Sequence, residues 1–298
     1  ACPCPGTSRG NSGGTSPGTF TEAVGTTLDF GGGTHNLNAG SSVAGAGHVL
    51  FSGATVICNG TFNISGSNTV SSGSVTYTAA ASVLNQGNPL TMSGGPANFN
   101  SDEAITLTTV LLSGGTANFN SGQAVTLTTL TLTGGTLGGG DAVTVSGLVP
   151  WTGGGFSGSN TVHANGGLTM SGATKTLTGR TLVNTATATW SAGQLNTGNG
   201  SVLSNAASGT FDISFDATEN TVGGARTMAN AGLFRKTGGT GAATLGSVFN
   251  NTGALEVQSG MLSLNGGGTS TGTFTETVGT TLDFGGGTHN LNAGSSVT

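Results

Sequence analysis

The sequence predicts an all-β fold, a single-stranded parallel β-helix (β-solenoid) of triangular coils with about 20 residues each and about 14 turns. Three observations support this prediction. Glycine and threonine dominate the composition, a short unit is copied along the chain, and apolar residues alternate strictly within each unit.

The composition favours short strands joined by tight turns. Of the 298 residues, 58 are Gly and 52 are Thr, whereas charged residues make up 6%. Ordinary globular domains contain about 7% Gly and about 25% charged residues. Because β-branched Thr fits a pleated surface and Gly suits turns, we expect an all-β protein.

Charge and hydropathy exclude two kinds of partner. The formal net charge is −5, and six basic residues are spread along the chain. A nucleic-acid-binding surface needs a basic stripe, so we expect no nucleic-acid partner. No apolar run approaches the roughly 18 residues of a membrane-spanning helix, so we expect no membrane insertion.

The first 16 residues differ in composition from the rest. Residues 1–16 are rich in Cys, Pro and Gly and lack the apolar run of a signal peptide, so we interpret them as a flexible leader. Residues 17–298 then form the β-solenoid. Cys2 and Cys4 are either free thiols of this leader or form a disulfide that links chains or ties the leader to the body. Cys58 lies in a strand-like run.

A unit of about 20 residues is copied whole in the first half of the chain. Residues 93–112 and 113–132 are identical at 14 of 20 positions. Within a unit, apolar residues alternate in three bursts, which marks three strands with one buried face each. We expect corners at residues 120–122, 128–129 and 134–135.

Stacking of these units predicts ladders of matching side chains in the core. One coil cannot bury enough apolar surface to order itself, so each coil must pack on its neighbours. The predicted core pairs, one coil apart, are Phe99 with Phe119, Ile105 with Val125, Leu107 with Leu127, and Leu112 with Leu132.

The second half carries a looser form of the same pattern. An Asn follows an apolar residue and one spacer at intervals of 21, 25 and 21 residues, at Asn184, Asn205, Asn230 and Asn251. Asn tolerates the left-handed backbone region and its amide can bond along a stack, so a corner ladder is expected. Trp151 and Trp190 lie two coils apart, either in the core or corners or as platforms for sugar rings.

A longer repeat suggests tandem duplication. Residues 11–43 recur as residues 265–297 with 30 of 33 positions identical, at an offset of 254 residues. We interpret the chain as one 254-residue repeat followed by the start of the next copy, residues 265–298.

At this level of detail the chain resembles a known class of proteins. Runs such as LTMSGGPANFNS and GTTLDFGGGTHNLNAGSSV are similar to repeats of giant exported bacterial proteins, the autotransporter-type and filamentous-haemagglutinin-type passengers. The resemblance implies a right-handed parallel β-helix at the bacterial cell surface or outside the cell. It also implies an adhesin, stalk or fibre without a catalytic centre.

Some parallel β-helices cleave polysaccharides with grouped carboxylates, so the acidic residues are candidates for catalysis. Glycoside hydrolysis needs two carboxyl groups about 5 to 9.5 Å apart. Asp102 and Glu103 have no acidic counterpart in the next unit, whereas Asp212, Asp216 and Glu219 cluster near one corner. We interpret that cluster as a solvated loop, with catalysis as the alternative.

Two further patterns are either metal-binding sites or ordinary polar turns. Asp29 and His35 recur as Asp283 and His289, but two ligands per copy are too few for a metal site. The run ending at Asp141 is solitary, whereas calcium-binding repeats need the pattern in successive turns. We interpret both as polar turns.

Threonine ladders also have two interpretations. Outward Thr residues, such as Thr106 over Thr126, resemble an ice-binding array but are ordinary in a strand this poor in charge.

These observations together predict a non-enzymatic extracellular structural protein without a cofactor. It forms a rigid stalk, adhesin or fibre segment that contacts adjacent repeats or stacks head to tail on itself. The alternative is a carbohydrate-directed β-helix, a lyase, hydrolase or lectin-like adhesin. Host or matrix glycans are then its partners.

Overall fold

The computed structural model describes residues 6–298, and the regular elements in this range are all β-strands. The chain divides into two compact units, Ala1–Val143 and Thr144–Thr298. Within each unit, parallel strands stack about 20 residues apart. The prediction of an all-β solenoid is confirmed, and the two units together contain about 15 turns.

The strands of the first unit are mostly three to five residues long. They are β1 (Thr7–Gly10), β2 (Gly14–Ser16), β3 (Thr19–Glu22), β4 (Thr27–Phe30), β5 (Thr34–Leu37), β6 (Ser42–Gly45), β7 (His48–Phe51), β8 (Thr55–Cys58), β9 (Thr61–Ile64), β10 (Asn68–Val70), β11 (Ser74–Tyr77), β12 (Ser82–Gln86), β13 (Leu90–Phe99), β14 (Ile105–Phe119), β15 (Val125–Leu132) and β16 (Thr136–Gly139). Strand β17 (Val143–Val145) contains the boundary between the units.

Three parallel ladders build the first unit. One runs through β1, β4, β7, β10, β13, β14 and β15. A second runs through β2, β5, β8, β11, β13, β14 and β16. The third joins β3, β6, β9 and β12 as a separate four-stranded sheet, and the first residues of β14 and β15 pair with each other further along the chain. Three ladders per coil give the predicted triangular cross-section.

The strands of the second unit are similarly short. They are β18 (Val149–Trp151), β19 (Gly154–Phe156), β20 (Thr161–Ala164), β21 (Leu168–Met170), β22 (Lys175–Thr178), β23 (Thr181–Asn184), β24 (Thr187–Trp190), β25 (Leu195–Gly198), β26 (Ser201–Asn205), β27 (Thr210–Ile213), β28 (Glu219–Thr221), β29 (Arg226–Asn230), β30 (Leu233–Lys236), β31 (Ala242–Leu245), β32 (Val248–Asn251), β33 (Ala254–Val257), β34 (Met261–Leu264), β35 (Gly268–Ser270), β36 (Thr273–Glu276), β37 (Thr281–Asp283), β38 (His289–Leu291) and β39 (Ser296–Val297).

Three ladders also build the second unit. The first joins every third strand from β18 to β39. The second joins every third strand from β20 to β38. The third joins β19, β22, β25 and β28, then β31, β34 and β37. A bridge between Thr218 and Thr244 connects its two parts.

Glycine allows the coils to approach closely at some corners. Gly95 and Gly115 stack one coil apart, with φ of +68° and +65°. A Cβ atom on Gly115 would clash with the carbonyl oxygen of Gly95. Both the backbone conformation and the close approach therefore require Gly at this position.

The structure differs from the prediction at the N-terminus. Residues 7–16 are not a separate leader, because β1 pairs with β4 and β2 pairs with β5. These strands were not recognised in the sequence because they contain few apolar residues. They pair through backbone groups. Cys2 and Cys4 lie outside the described residues.

The copied units also contain longer strands than predicted. The corner expected at residues 128–129 lies inside the continuous strand β15, and β14 likewise continues through its bend. Backbone pairing with the neighbouring coil persists through these bends.

Candidate functional site

The core of the first unit is a stack of matched side chains. The rings of Phe99 and Phe119 stack at a centroid distance of 5.0 Å, and Tyr77 stacks on Phe99 at 5.1 Å. The remaining predicted pairs are in register and buried: Ile105 with Val125, Leu107 with Leu127, and Leu112 with Leu132. The copied sequence therefore places identical or similar side chains directly above one another.

A ladder of polar side chains lies on the outer side of the same strands. Asn118 Nδ2 donates a hydrogen bond to Asn98 Oδ1 at 2.9 Å, and Asn98 Nδ2 donates to Thr76 Oγ1 at 3.2 Å. These side chains are only partly buried. Outward polar residues thus continue the coil-to-coil contacts that the core makes inside.

The four Asn residues of the second unit form a continuous buried ladder. The amide groups of Asn184, Asn205 and Asn230 each donate to the carboxamide oxygen of the Asn one coil further along, at 2.9, 2.8 and 2.8 Å, and Asn251 ends the ladder. The side chains lie inside the coil at the ends of β23, β26, β29 and β32.

The buried amides also bond to the backbone of the adjacent corner. Asn205 Nδ2 donates to the carbonyl oxygens of Gly209 and Leu233 at 3.1 and 3.0 Å. The left-handed backbone expected for these Asn residues is not the reason for their use. Among the described non-Gly residues, positive φ occurs at Asn160 and Asn199 instead.

Two buried lysines hold corners of the second unit together. Lys175 Nζ donates to the carbonyl oxygens of Ser171, Ala173 and Ala192 at 2.8 to 3.0 Å. Burial lowers the pKa of Lys175 from 10.5 to about 8. The ammonium group therefore crosslinks the carbonyl groups of successive coils, at a cost in desolvation.

The second lysine is equally enclosed. Lys236 Nζ donates to the carbonyl oxygens of Gly238 and Gly239 and to Asp216 Oδ1, the last at 3.1 Å. Both lysines stand in ladder positions otherwise filled by apolar residues, such as Leu195 and Val257. Sequence reasoning missed both lysines, because the register of successive coils that places them inside was not known from the sequence.

The three acidic residues considered for catalysis each have a structural partner. Asp212 and Arg235 form a bidentate pair with distances of 2.6 and 2.9 Å, one coil apart. This hydrogen bond raises the pKa of Arg235 above its usual value. Asp216 pairs with the buried Lys236 and accepts a bond from Gly241 N.

The third member of the acidic cluster is buried, which corrects the prediction of a solvated loop. Glu219 accepts hydrogen bonds from the backbone N–H groups of Gly246 and Ser247 at 2.9 Å, and from the hydroxyl groups of Thr197 and Ser247. Its carboxylate therefore links its own coil to both neighbouring coils. The cluster therefore consists of separate coil-to-coil contacts.

The candidate metal pairs are also engaged in local contacts. Asp29 pairs with Arg9 at 3.1 Å and accepts a bond from Ser52 Oγ at 2.6 Å. His35 Nε2 lies 3.0 Å from the carbonyl oxygen of Gly32. Among residues 6–298, no group of three or more potential metal ligands comes together.

The repeated pair, Asp283 and His289, and the acidic turn at Asp141 also make local contacts. Asp283 accepts a bond from Ser263 Oγ at 2.7 Å, and His289 Nε2 lies 2.9 Å from the carbonyl oxygen of Gly286. Asp141 accepts bonds from the N–H groups of Ser121 and Gly122 at 2.6 and 2.9 Å.

Both tryptophans belong to the core, so the sugar-platform interpretation is wrong. Trp151 and Trp190 are fully buried, and their indole N–H groups donate to the carbonyl oxygens of Gly154 and Gly193 at 3.2 and 2.9 Å. Each indole therefore forms a hydrogen bond to the backbone of the corner that follows it.

No protein-family model, curated protein or solved structure matches this chain significantly. The resemblance to autotransporter-type and filamentous-haemagglutinin-type passengers therefore concerns the solenoid fold and the sequence texture alone. Within residues 6–298, no helix is long and apolar enough to cross a membrane.

Proposed function

We propose that the protein is a non-enzymatic structural element of the bacterial cell surface or extracellular space. It acts as a rigid stalk or fibre segment, and its coils continue head to tail into adjacent repeats or further copies as a filament or long adhesin. The observation that supports this most is the set of parallel coil-to-coil ladders of the first unit, two of which run from its first strands to β15 and β16, together with its stacked core.

Rigidity follows from the direction of the contacts. In a parallel solenoid the backbone hydrogen bonds run along the stacking axis, with neighbouring strands about 4.8 Å apart. Stretching or bending must therefore break many bonds at once. The Asn184 to Asn251 ladder and the lysine crosslinks add contacts along the same axis.

The scarcity of basic residues supports an extracellular setting. Only six Lys and Arg residues offer sites for trypsin-like proteases, and Lys175, Arg180 and Lys236 are buried. A protein of this kind resists proteolysis in its folded state.

A tandem protein tests the rigid-segment proposal. We propose to extend the chain by one further copy of residues 45–298 and to compare both proteins by small-angle scattering and negative-stain electron microscopy. Each added 254 residues correspond to 12 to 13 coils, so the particle should lengthen by about 60 Å at constant width. A compact particle of greater width would contradict the proposal.

The carbohydrate-directed alternative has less support. The acidic side chains that it needs are paired with Arg235 and Lys236, and the tryptophans are buried. Binding and turnover on a glycan panel test it. The Asp212→Asn variant is the control, and a loss of binding or turnover in this variant would favour the alternative.

A further inference from the structure

Four Asn-Gly dipeptides each follow a strand directly, at a corner of the coil. They are Asn59-Gly60 after β8, Asn165-Gly166 after β20, Asn199-Gly200 after β25, and Asn265-Gly266 after β34. In such a pair the backbone nitrogen of Gly is positioned to attack the side-chain carbonyl carbon of Asn. Gly favours this attack because it has no Cβ atom to hinder the approach and its backbone is permissive.

The reaction replaces the Asn carboxamide with a carboxylate. The Gly nitrogen forms a bond to Asn Cγ, which closes a five-membered succinimide ring, and the side-chain nitrogen leaves as ammonia. Water then opens the ring at either of its carbonyl groups, which leaves aspartate or isoaspartate. Water is the only co-reactant. Two conditions favour ring closure: a Gly N–H group that donates to no acceptor, and an Asn carboxamide that is free to turn towards it.

The corner at Asn165 meets both conditions. Asn165 and Gly166 are the central residues of a turn in which the Gly167 N–H group donates to the carbonyl oxygen of Ala164 at 3.2 Å. Asn165 is exposed, and its Oδ1 accepts one long hydrogen bond, from Thr185 Oγ1 at 3.3 Å. Within residues 6–298, the Gly166 N–H group donates to no acceptor.

The corner at Asn199 provides a matched comparison in the same unit. Asn199 and Gly200 are both exposed, so solvent reaches them as readily. The Gly200 N–H group, however, donates to the carbonyl oxygen of Ala225 at 2.7 Å. Attack by the Gly200 nitrogen must first break this hydrogen bond, so the same dipeptide is protected here.

The other two Asn-Gly pairs have restrained carboxamides. Asn59 is half-buried, and its Oδ1 accepts a hydrogen bond from Thr78 Oγ1 at 2.8 Å. Asn265 Oδ1 accepts one from Ser263 Oγ at 3.0 Å. It also lies close to Gly285 of the following coil, where an added Cβ atom would clash with it. Rotation of either side chain towards its Gly nitrogen must break these contacts.

We propose that Asn165 is a site of spontaneous modification, at which the carboxamide is converted to aspartate and isoaspartate in the folded protein. The proposal is independent of the proposed structural function, because it depends only on the geometry of one corner. The conversion adds a negative charge to the exposed corner between β20 and β21. The isoaspartyl product is the chemical class of substrate that isoaspartyl carboxyl methyltransferases recognise.

The two products should affect the stack differently. Aspartate keeps the main chain unchanged and retains an acceptor for Thr185. Isoaspartate lengthens the main chain by one methylene group, because the chain then runs through Cβ. The backbone of Gly147 in the preceding coil leaves no room even for a Cβ atom on Gly166. We therefore expect the isoaspartyl form to unfold at lower urea concentration than the aspartyl form.

Peptide mapping of the folded protein, aged at mildly alkaline pH, tests the site. Mass spectrometry follows the exchange of NH2 for OH at each of the four Asn residues, and enzymatic methylation of the peptides detects isoaspartate. The same incubation in urea gives the rates without the fold. Because Gly follows each Asn, these four rates should be similar.

In the folded protein we expect Asn165 to react fastest of the four. It should convert at least about fivefold faster than Asn199, the factor that one net hydrogen bond corresponds to. The variant Asn165→Gln should lose most of the conversion of the folded protein, because its longer side chain must close a larger ring. The matched control Asn199→Gln should leave that conversion nearly unchanged. Circular dichroism checks that both variants are folded.

Three results would overturn the proposal. The first is equal conversion of Asn165 and Asn199 in the folded protein. The second is an Asn165 that the fold protects, relative to urea, as strongly as it protects Asn199. The third is equal total conversion of the variants Asn165→Gln and Asn199→Gln.

Discussion

Replacing Asn205 with alanine should destabilise the second unit strongly. Within the ladder, its carboxamide accepts a hydrogen bond from Asn184 and donates one to Asn230. It also donates to the carbonyl oxygens of Gly209 and Leu233. Because the Asn205 NH2 group has two hydrogens for three acceptors, about three full hydrogen bonds are lost, which at roughly 1 kcal/mol net each lowers the free energy of unfolding by about 3 kcal/mol. The orphaned, buried Oδ1 of Asn230 opposes any recovery by solvent.

The assay is urea unfolding monitored in parallel by circular dichroism and by the fluorescence of Trp151 and Trp190. Coincident transitions of the two probes justify a two-state free energy. The matched control is Asn118→Ala, which removes one partly exposed side-chain hydrogen bond to Asn98. It should lower the free energy of unfolding by less than about 1 kcal/mol. Equal, small effects of both substitutions would refute the idea that the buried ladder stabilises the stack.

Three further predictions concern the corners and the core. Burial lowers the pKa of Lys175 to about 8, below its usual 10.5, so the unfolded chain binds this proton more tightly. The stability of the unaltered protein relative to Lys175→Met should therefore rise between about pH 8 and pH 10.5, and a difference that is flat with pH in urea unfolding would refute this. Gly115→Ala introduces a Cβ atom that clashes with the neighbouring coil, and should lower the free energy of urea unfolding by about 3 kcal/mol or more. Gly122 also has a positive φ, but no atom lies near the position of an added Cβ, so Gly122→Ala should lower it by about 1 kcal/mol. Burial raises the pKa of the Cys58 thiol to about 11, so iodoacetamide at pH 8 should leave Cys58 unlabelled in peptide maps until urea is added, and rapid native labelling would contradict its burial.

Close copying of the 20-residue unit made the core of the first unit predictable. Because residues 93–112 and 113–132 match so closely, Phe99 had to face Phe119 once the coils were stacked. The buried Asn positions were predictable from their spacing. Their interior location was not, because Asn also serves exposed corners.

The polar crosslinks were not predictable, because coil length varies. Paired residues lie 19 residues apart between Val49 and Asn68 but 25 apart between Val202 and Thr227. A shift of one residue reverses which face a side chain points to. Sequence reasoning therefore could not place Lys175 inside the coil, nor pair Asp212 with Arg235.

The N-terminal boundary was missed for a related reason. Hydrophobic alternation is the signal used to recognise strands, and β1 and β2 consist of TSRG and GTS. Their pairing with β4 and β5 depends on backbone groups, which the sequence pattern does not reveal.

Disulfide trapping tests most directly whether residues one coil apart lie side by side. In a background with Cys2→Ser, Cys4→Ser and Cys58→Ala, the pair Thr106→Cys and Thr126→Cys joins two outward positions that are in register. Neighbouring parallel strands bring such residues within the Cα separation that a disulfide spans. The comparison pair is Thr106→Cys with Thr128→Cys.

Mass spectrometry of the oxidised proteins measures the outcome. We expect near-complete crosslinking of residues 106 and 126 within one molecule under mild oxidation, and little crosslinking of residues 106 and 128. Failure of the first pair to crosslink, or equal crosslinking of both pairs, would contradict the stacked register on which the proposed rigid segment depends.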